Sequence, residues 1–183
     1  MTATIKECST NINNFIFRKN FRNIFKKKQK KMVDEALSTR VFDFSYTVPM
    51  TDDYVQLFYC FLDSLGDFFK KFTLIPKEPS CYACVLDDRW RRNLMHDHKN
   101  TGTISAVFYL KQAESENGVV FQPEHGNVII KPEEFDMLIF SSEINHKPLL
   151  PSKKKDFRLS INIETYCKES AKEIFNMNNI KRH

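Results

Sequence analysis

From residue 81 onward the chain is divided into short apolar segments, and their brevity limits the fold more than any other feature. They span 81–86, 103–111, 118–122, 127–131, 136–141 and 157–165, and all are rich in Val, Ile, Phe, Tyr and Leu. Segments of this size suit strands crossing a small sheet, not packed helices. Turn-forming clusters separate them: Asp87-Asp88, Lys99-Asn100-Thr101-Gly102, Glu116-Asn117-Gly118, His125-Gly126-Asn127 and Pro151-Ser152-Lys153. Upstream, 54–72 is apolar at helical intervals through Val55, Phe58, Leu62, Leu65 and Phe69. Thr51 or Asp52 is placed to cap that helix, and Lys70 and Lys71 suit its C-terminal end. Residues 167–177 predict a short last helix and 178–183 a frayed end. Helices first and many short strands afterwards predict an α+β chain whose C-terminal two-thirds is a β-sandwich or barrel.

Composition removes several classes. At 183 residues and 42% hydrophobic, the chain is long enough for one domain with a sizeable core. No apolar run approaches the ~20 residues that span a bilayer, and no apolar stretch of secretory type precedes the first basic run. The five cysteines are odd in number and scattered, so reduced thiols and a cytoplasmic location are expected. Cys81 and Cys84 form a CxxC without a second pair. On a strand their odd offset sends them to opposite faces, which favours core thiols over a zinc knuckle.

The net charge of +5 is a local feature. Arg18, Lys19, Arg22, Lys26, Lys27, Lys28, Lys30 and Lys31 sit together with no acidic residue among them, and the rest of the chain is slightly acidic. Ile12, Phe15, Ile16, Phe21, Ile24 and Phe25 fall near helical spacing in the same stretch, which predicts an amphipathic helix. Residues 1–31 therefore read as a basic N-terminal arm or helix, and 32–183 as a single domain with its core at about 80–165. Such an arm either solvates its charge while packing its aromatics on the core, or contacts phosphates of a nucleic acid. Trp90, between Arg89 and Arg91-Arg92, reads as a core-packing indole in preference to a base-stacking one.

Chemistry concentrates in the histidines. In LMHDHKN, an extended backbone points His96 and His98 to one side and Asp97 to the other. Two imidazoles converging at a strand end make half of a metal site, and His146, just beyond the apolar strand MLIF, is the third candidate. An HxH pair is also an ordinary surface feature. His125, in a Glu-His-Gly turn, reads as an exposed loop residue. In the last strand Arg158, Ser160 and Asn162 share one face, while Phe157, Leu159, Ile161 and Ile163 share the other. The polar face is either the solvent side of a two-layer sheet or an inward face. In the second case a buried guanidinium needs an anion, and a carboxylate held by Arg158 and Ser160 would supply it.

The order HDHKNTGTISAVFYL, ENGVVFQP, IIKPEEFDMLIFSSEINHKP, FRLSINIE resembles the catalytic core of the Fe(II)- and 2-oxoglutarate-dependent oxygenases. It is most similar to their small, often phage-encoded branch, over roughly residues 88–165. The resemblance implies a double-stranded β-helix, a jelly-roll or cupin-like core of two packed sheets, with the N-terminal helices on one sheet. It implies His96, His98 and His146 as metal ligands in catalysis. It further implies Arg158 and Ser160 on the far carboxylate of 2-oxoglutarate, with Tyr109, Asn93 and Asn162 as further polar contacts. Fe(II), 2-oxoglutarate and O2 are the implied cofactor and co-substrates, and hydroxylation of a C–H bond with release of succinate and CO2 the implied reaction.

The wider superfamily places a carboxylate where His98 stands. A three-His set and a site completed by Asp97 therefore both remain open, as does an inactive β-helix that only binds. The fold leaves the substrate open, with protein and nucleic acid both candidates. The richness in Asn, Lys, Phe and Ile suits an AT-rich genome and is compatible with a viral source, which would put the protein in a host cytoplasm. Oligomeric state is not readable.

Overall fold

The computed structural model describes residues 10–12, 16–39, 45–49, 51–69, 72–75, 80–87, 94–115, 118–123 and 126–175. Two short N-terminal strands, β1 (Thr10–Ile12) and β2 (Ile16–Asn20), precede a helical run. That run is α1 (Arg22–Phe25), a 3-10 turn over Lys26–Lys28, and α2 (Gln29–Ser38). Strand β3 (Ser45–Thr47) leads to α3 (Asp52–Phe68). Seven strands follow: β4 (Ser80–Asp87), β5 (Ile104–Lys111), β6 (Val119–Gln122), β7 (Val128–Ile130), β8 (Asp136–Ser141), β9 (Asn145–Pro148) and β10 (Phe157–Thr165). A short α4 (Ala171–Phe175) is the last element described. No described helix is long and apolar enough to cross a membrane.

The strands form two antiparallel sheets. The larger runs β1-β2-β8-β5-β10-β4-β3 and the smaller β7-β6-β9. From β5 onward the chain passes from the large sheet to the small one and back, so no strand of the second half pairs with its direct successor except β6 with β7. Strand alternation then sorts the side chains. In β10, Leu159, Ile161 and Ile163 join a core that also holds Ala106, Phe108 and Leu110 of β5, Met137 and Ile139 of β8, and Leu57, Phe61 and Leu65 of α3. The intervening residues face the small sheet, where Tyr109, Leu138 and Phe140 meet Val119, Phe121 and Ile130. The large sheet is thus a middle layer, greasy towards the helices and more polar towards the small sheet.

Helix α3 forms where the 3.6-residue periodicity predicts it. Its apolar stripe is buried, and Asp52 and Asp53 sit in the first turn, where carboxylates oppose the helix dipole. Thr51 is the N-cap residue by backbone geometry, but its hydroxyl donates to Glu35 of α2 at 3.2 Å and makes no cap hydrogen bond.

The basic segment is helical from Arg22 onward, as one of its two readings had it, but not before. Ile16–Asn20 is a strand, hydrogen-bonded between β1 and β8, with Ile16 and Phe17 buried on opposite faces of the sheet. Two adjacent apolar residues can both be buried only where the strand has a packed layer on each side, and β8 provides that position. The aromatics do pack on the core, since Phe17, Phe21 and Phe25 are each under 5% exposed. Much of the charge is matched. Arg18 pairs with Asp136, Lys19 with Asp67 at 2.6 Å, and Lys28 and Lys31 both reach Asp53 at 2.7 Å. Arg22 lies over the Phe135 ring.

Strand β9 is another departure, as are the short strands β1 and β3. Asn-His-Lys-Pro has no strand-like composition, and it is extended because it pairs with β6, Phe121 opposite His146 and Val119 opposite Pro148. Cys81 packs towards the helices and Cys84 towards the small sheet, and Cys60, Cys81, Cys84 and Cys167 are free thiols. Asn93, Trp90, His125 and the segment 178–183 lie outside the described residues.

Candidate metal centre

A cavity of about 360 Å³ opens between the two sheets. Its floor comes from three adjacent strands in register. Leu86 lies beside Arg158, Cys84 beside Ser160 and Tyr82 beside Asn162 on the β4 side of β10. On the other side Tyr109 lies beside Ser160 and Val107 beside Asn162. The β10–β5 register shifts between Leu159 and Ser160, a bulge of the kind that re-aims side chains next to a site. Val119, Phe121 and Pro148 line the cavity from the small sheet, and Leu94, 74% exposed, stands at its edge.

The three histidines meet in this cavity. His96 and His146 form an antiparallel bridge, each backbone N–H donating to the other's carbonyl at 3.1 and 2.9 Å. His98 is fixed by its own backbone N–H, which donates to Ser142 at 2.8 Å. Each imidazole offers a ring nitrogen, and the three lie within 4.8 Å of one another. Their second nitrogens are committed. Nδ1 of His96 donates to the Leu94 carbonyl at 3.1 Å, and Nδ1 of His146 to the Ile144 carbonyl at 3.0 Å. Nδ1 of His98 is 2.7 Å from Oε1 of Glu164. A carbonyl can only accept, so the proton sits on Nδ1 in the first two, and the Glu164 carboxylate draws it there in the third. Nε2 is therefore the ring nitrogen left for a metal in all three, and the Nδ1–H tautomer is the one a histidine ligating through Nε2 needs.

Burial acts on two groups of this cluster, His146 and Glu164. His146 is pushed down to about 3, first by burial and then by the neighbouring His96 and His98, so it is neutral near pH 7. Burial raises the Glu164 carboxyl, but hydrogen bonds from His98, Thr101 and Tyr82 outweigh it and leave the group below its ordinary value. Asp97 does not join the cluster. Its carboxylate is 3.1 Å from Nζ of Lys99, and that contact leads the causes that lower it.

At the other end of the polar face lies an unmatched positive charge. Arg158 is 3% exposed and donates through one terminal nitrogen to the Gly118 carbonyl at 3.1 Å. Its Nε is buried without a partner among the described residues, and no carboxylate there pairs with it. Burial pushes the guanidinium below its ordinary value, and pushes the Tyr109 hydroxyl, beside it, up to about 12. The Tyr109 ring lies 5.6 Å from the guanidinium carbon. Gly118 accepts from Arg158 and from the Leu149 N–H, and a Cβ there would come within 2.6 Å of Leu149. Its role is close approach, where the sequence suggested only a turn.

Of the expected site residues, His96, His98, His146, Arg158, Ser160, Tyr109 and Asn162 all border this cavity. Glu164 was not anticipated. The signal was present in period two, since FRLSINIE continues the polar face of Arg158, Ser160 and Asn162 to Glu164. These residues fit a divalent metal bound by imidazole and an anion bound by guanidinium and hydroxyl.

No family model matches the sequence, and no curated protein matches it by sequence similarity. Solved structures do match in fold. A Pseudomonas putida prolyl-4-hydroxylase superposes with a TM-score of 0.56 at 13% identity, covering 84% of this chain and 92% of that one. A Trichoplax adhaerens prolyl hydroxylase, solved with a peptide fragment of the hypoxia inducible factor oxygen degradation domain, gives 0.57 at 13%, covering 84% of each chain. A viral collagen prolyl hydroxylase from Paramecium Bursaria Chlorella virus-1, solved as its 2-oxoglutarate complex, gives 0.53 at 12%, covering 81% of this chain and 93% of that one. The chain thus has the mixed helix and antiparallel-sheet fold of the prolyl hydroxylases and related 2-oxoglutarate-dependent oxygenases, the group its sequence resembles, and carries a histidine triad able to hold a metal.

Proposed function

We propose that this protein is a non-haem Fe(II)- and 2-oxoglutarate-dependent oxygenase that hydroxylates a C–H bond, built on a double-stranded β-helix. The observation that carries this reading is the presence, in one cavity, of three histidines with Nε2 left for a metal and of a buried, unmatched guanidinium. A small ligand with a metal-chelating end and a distal carboxylate satisfies both. When bound, Fe(II) with 2-oxoglutarate and O2 supplies the oxidation of the C–H bond, with release of succinate and CO2.

The chain's own residues bind, orient and exclude water. His96, His98 and His146 hold the metal, each locked in its tautomer by the partner on Nδ1. Arg158 and Ser160 take the distal carboxylate, and Tyr109, buried beside them, excludes water around that ion pair and strengthens it. Asn162, between Ser160 and Glu164 on the same face, is a polar contact along the ligand's length. Phe121 and Phe140, whose rings lie 5.6 and 4.9 Å from the His146 ring, keep the metal end dry. Leu94 at the cavity edge gives an arriving substrate an apolar contact. A protein substrate is favoured, because a fold neighbour was solved with a peptide bound and half of the basic segment's cations are already matched within the fold.

One feature supports a second reading. Three neutral imidazoles leave the metal without a direct carboxylate, which would suit a β-helix that binds metal and keto acid without turnover. The two readings separate in a single assay of Fe(II)-, 2-oxoglutarate- and O2-dependent succinate release by the purified protein. Succinate formation that stops in His146→Ala and in Arg158→Ala supports the oxygenase. Tight binding of 2-oxoglutarate with no succinate under any substrate supports the binding module.

A further inference from the structure

The metal-ligand candidates have unequal partners, and the inequality assigns a role to Glu164. His96 and His146 lean on backbone carbonyls, which are neutral. His98 alone leans on a full negative charge, with Oε1 of Glu164 at 2.7 Å. That carboxylate is 2% exposed and has no lysine or arginine partner among the described residues; besides His98 it accepts from the Tyr82 hydroxyl at 3.3 Å and from the Thr101 hydroxyl. A carboxylate buried this deeply, with only an imidazole ring and hydroxyl groups around it, is an expensive arrangement unless a cation stands at or beyond the ring. A cation does lie beyond if the three Nε2 atoms hold a metal.

Resting on the metal reading above, we propose that Glu164 is the charge-compensating and positioning residue of this centre, acting through His98. A two-His-one-carboxylate site gives its metal one negative charge by direct contact. Here the same charge stands one imidazole further out. Glu164 holds His98 in the Nδ1–H tautomer, makes Nε2 a stronger donor, and offsets one of the metal's two positive charges across the ring. The position follows from the fold, since β10 carries Glu164 on the cavity side, two residues past Asn162, and opposite Ser105 of β5. His98, placed where a direct carboxylate would otherwise stand, fills the gap between that strand and the metal.

The charge count makes the test specific. Wild type has one carboxylate in the unit, Glu164→Gln none, His98→Asp two, and the double variant His98→Asp/Glu164→Gln one again. Gln keeps an acceptor for Nδ1–H, so Glu164→Gln removes the charge and spares the hydrogen bond. Co(II) is the probe, titrated into each full-length protein, with affinity read by competition against a chelator and coordination read from the visible ligand-field bands. Thermal melts without metal report folding.

The expected result is a loss of about 10–100-fold in Co(II) affinity for Glu164→Gln, the scale of an outer-shell change, with altered bands and an unchanged or raised metal-free melting point. His98→Asp is expected to melt lower, with two buried carboxylates face to face, and the double variant to bind Co(II) more tightly than either single change. Affinity of Glu164→Gln within twofold of wild type, with unchanged bands, overturns the assignment while leaving the metal site intact. Wild type that binds no Co(II), or binding that survives His146→Ala, overturns the metal reading itself and this assignment with it.

Discussion

The basic N-terminal segment and the polar face of β10 treat charge in opposite ways. In the first, cations are numerous and their partners are close. Arg18, Lys19, Lys28 and Lys31 have carboxylates within reach, and Lys26, Lys27 and Lys30 stand in solvent. In the second there are few ionisable groups, but Arg158 is buried with an orphaned Nε, and three imidazoles gather ring nitrogens within 4.8 Å of one another. Matched surface charge costs little and signals little. Buried charge left unmatched is costly, and a fold that retains it holds a place for something absent from the polypeptide. Density of charge in the sequence therefore pointed to the less informative region.

The strongest way to break this contrast is Arg158→Met. If the guanidinium serves a bound carboxylate, 2-oxoglutarate affinity falls by about 30-fold or more, equivalent to ~2 kcal/mol or more. The ligand-free melting point stays level or rises, because a buried unpaired cation has been removed. Calorimetric titration and a thermal melt read the two effects. A lower melting point with unchanged affinity would make Arg158 structural. His146→Ala comes next, with loss of metal affinity exceeding the ~10–100-fold of an outer-shell change, read by chelator competition.

A pH profile sharpens the comparison further. His146 takes a proton near its ordinary 6.5 in the unfolded chain but only at about 3 in the metal-free fold. Between those values the unfolded state binds the extra proton, so stability rises with pH across the window and falls as acid is added. Denaturant melts of metal-free protein from pH 4 to 7 should show that slope, reduced in His146→Asn. The smallest effect is expected in the other region. Replacing Lys26, Lys27 and Lys30 together by Glu should shift stability by no more than ~0.5 kcal/mol per site and leave succinate formation within twofold. A large loss of turnover there would return the basic segment to the centre of the function.

Legibility followed the same division. Strands β8 and β10 were readable to the residue, because 136–141 and 157–165 carry β-branched and aromatic side chains bounded by turns. The convergence of His96 and His98 followed from a period of two. His146 was recognised as a candidate while its strand was not, since β9 is extended only by pairing with β6 and has no strand-like composition. Of the arm or helix expected over the basic segment, helix forms from Arg22 onward but Ile16–Asn20 is a strand, because apolar spacing near 3.6 residues is indistinguishable, over so short a run, from a strand buried on both faces. Glu164 escaped because its meaning depends on His98, far away in sequence, standing 2.7 Å from it.

The most direct test of the central claim is anaerobic titration of Fe(II)-loaded protein with 2-oxoglutarate, watching the visible metal-to-ligand charge-transfer band that arises when a keto acid chelates iron. Wild type is predicted to develop the band at saturable ligand, His98→Ala to lose or weaken it, and Arg158→Ala to need far more ligand to reach it. Folded, iron-supplied wild type that shows no band at any 2-oxoglutarate concentration would contradict the oxygenase reading.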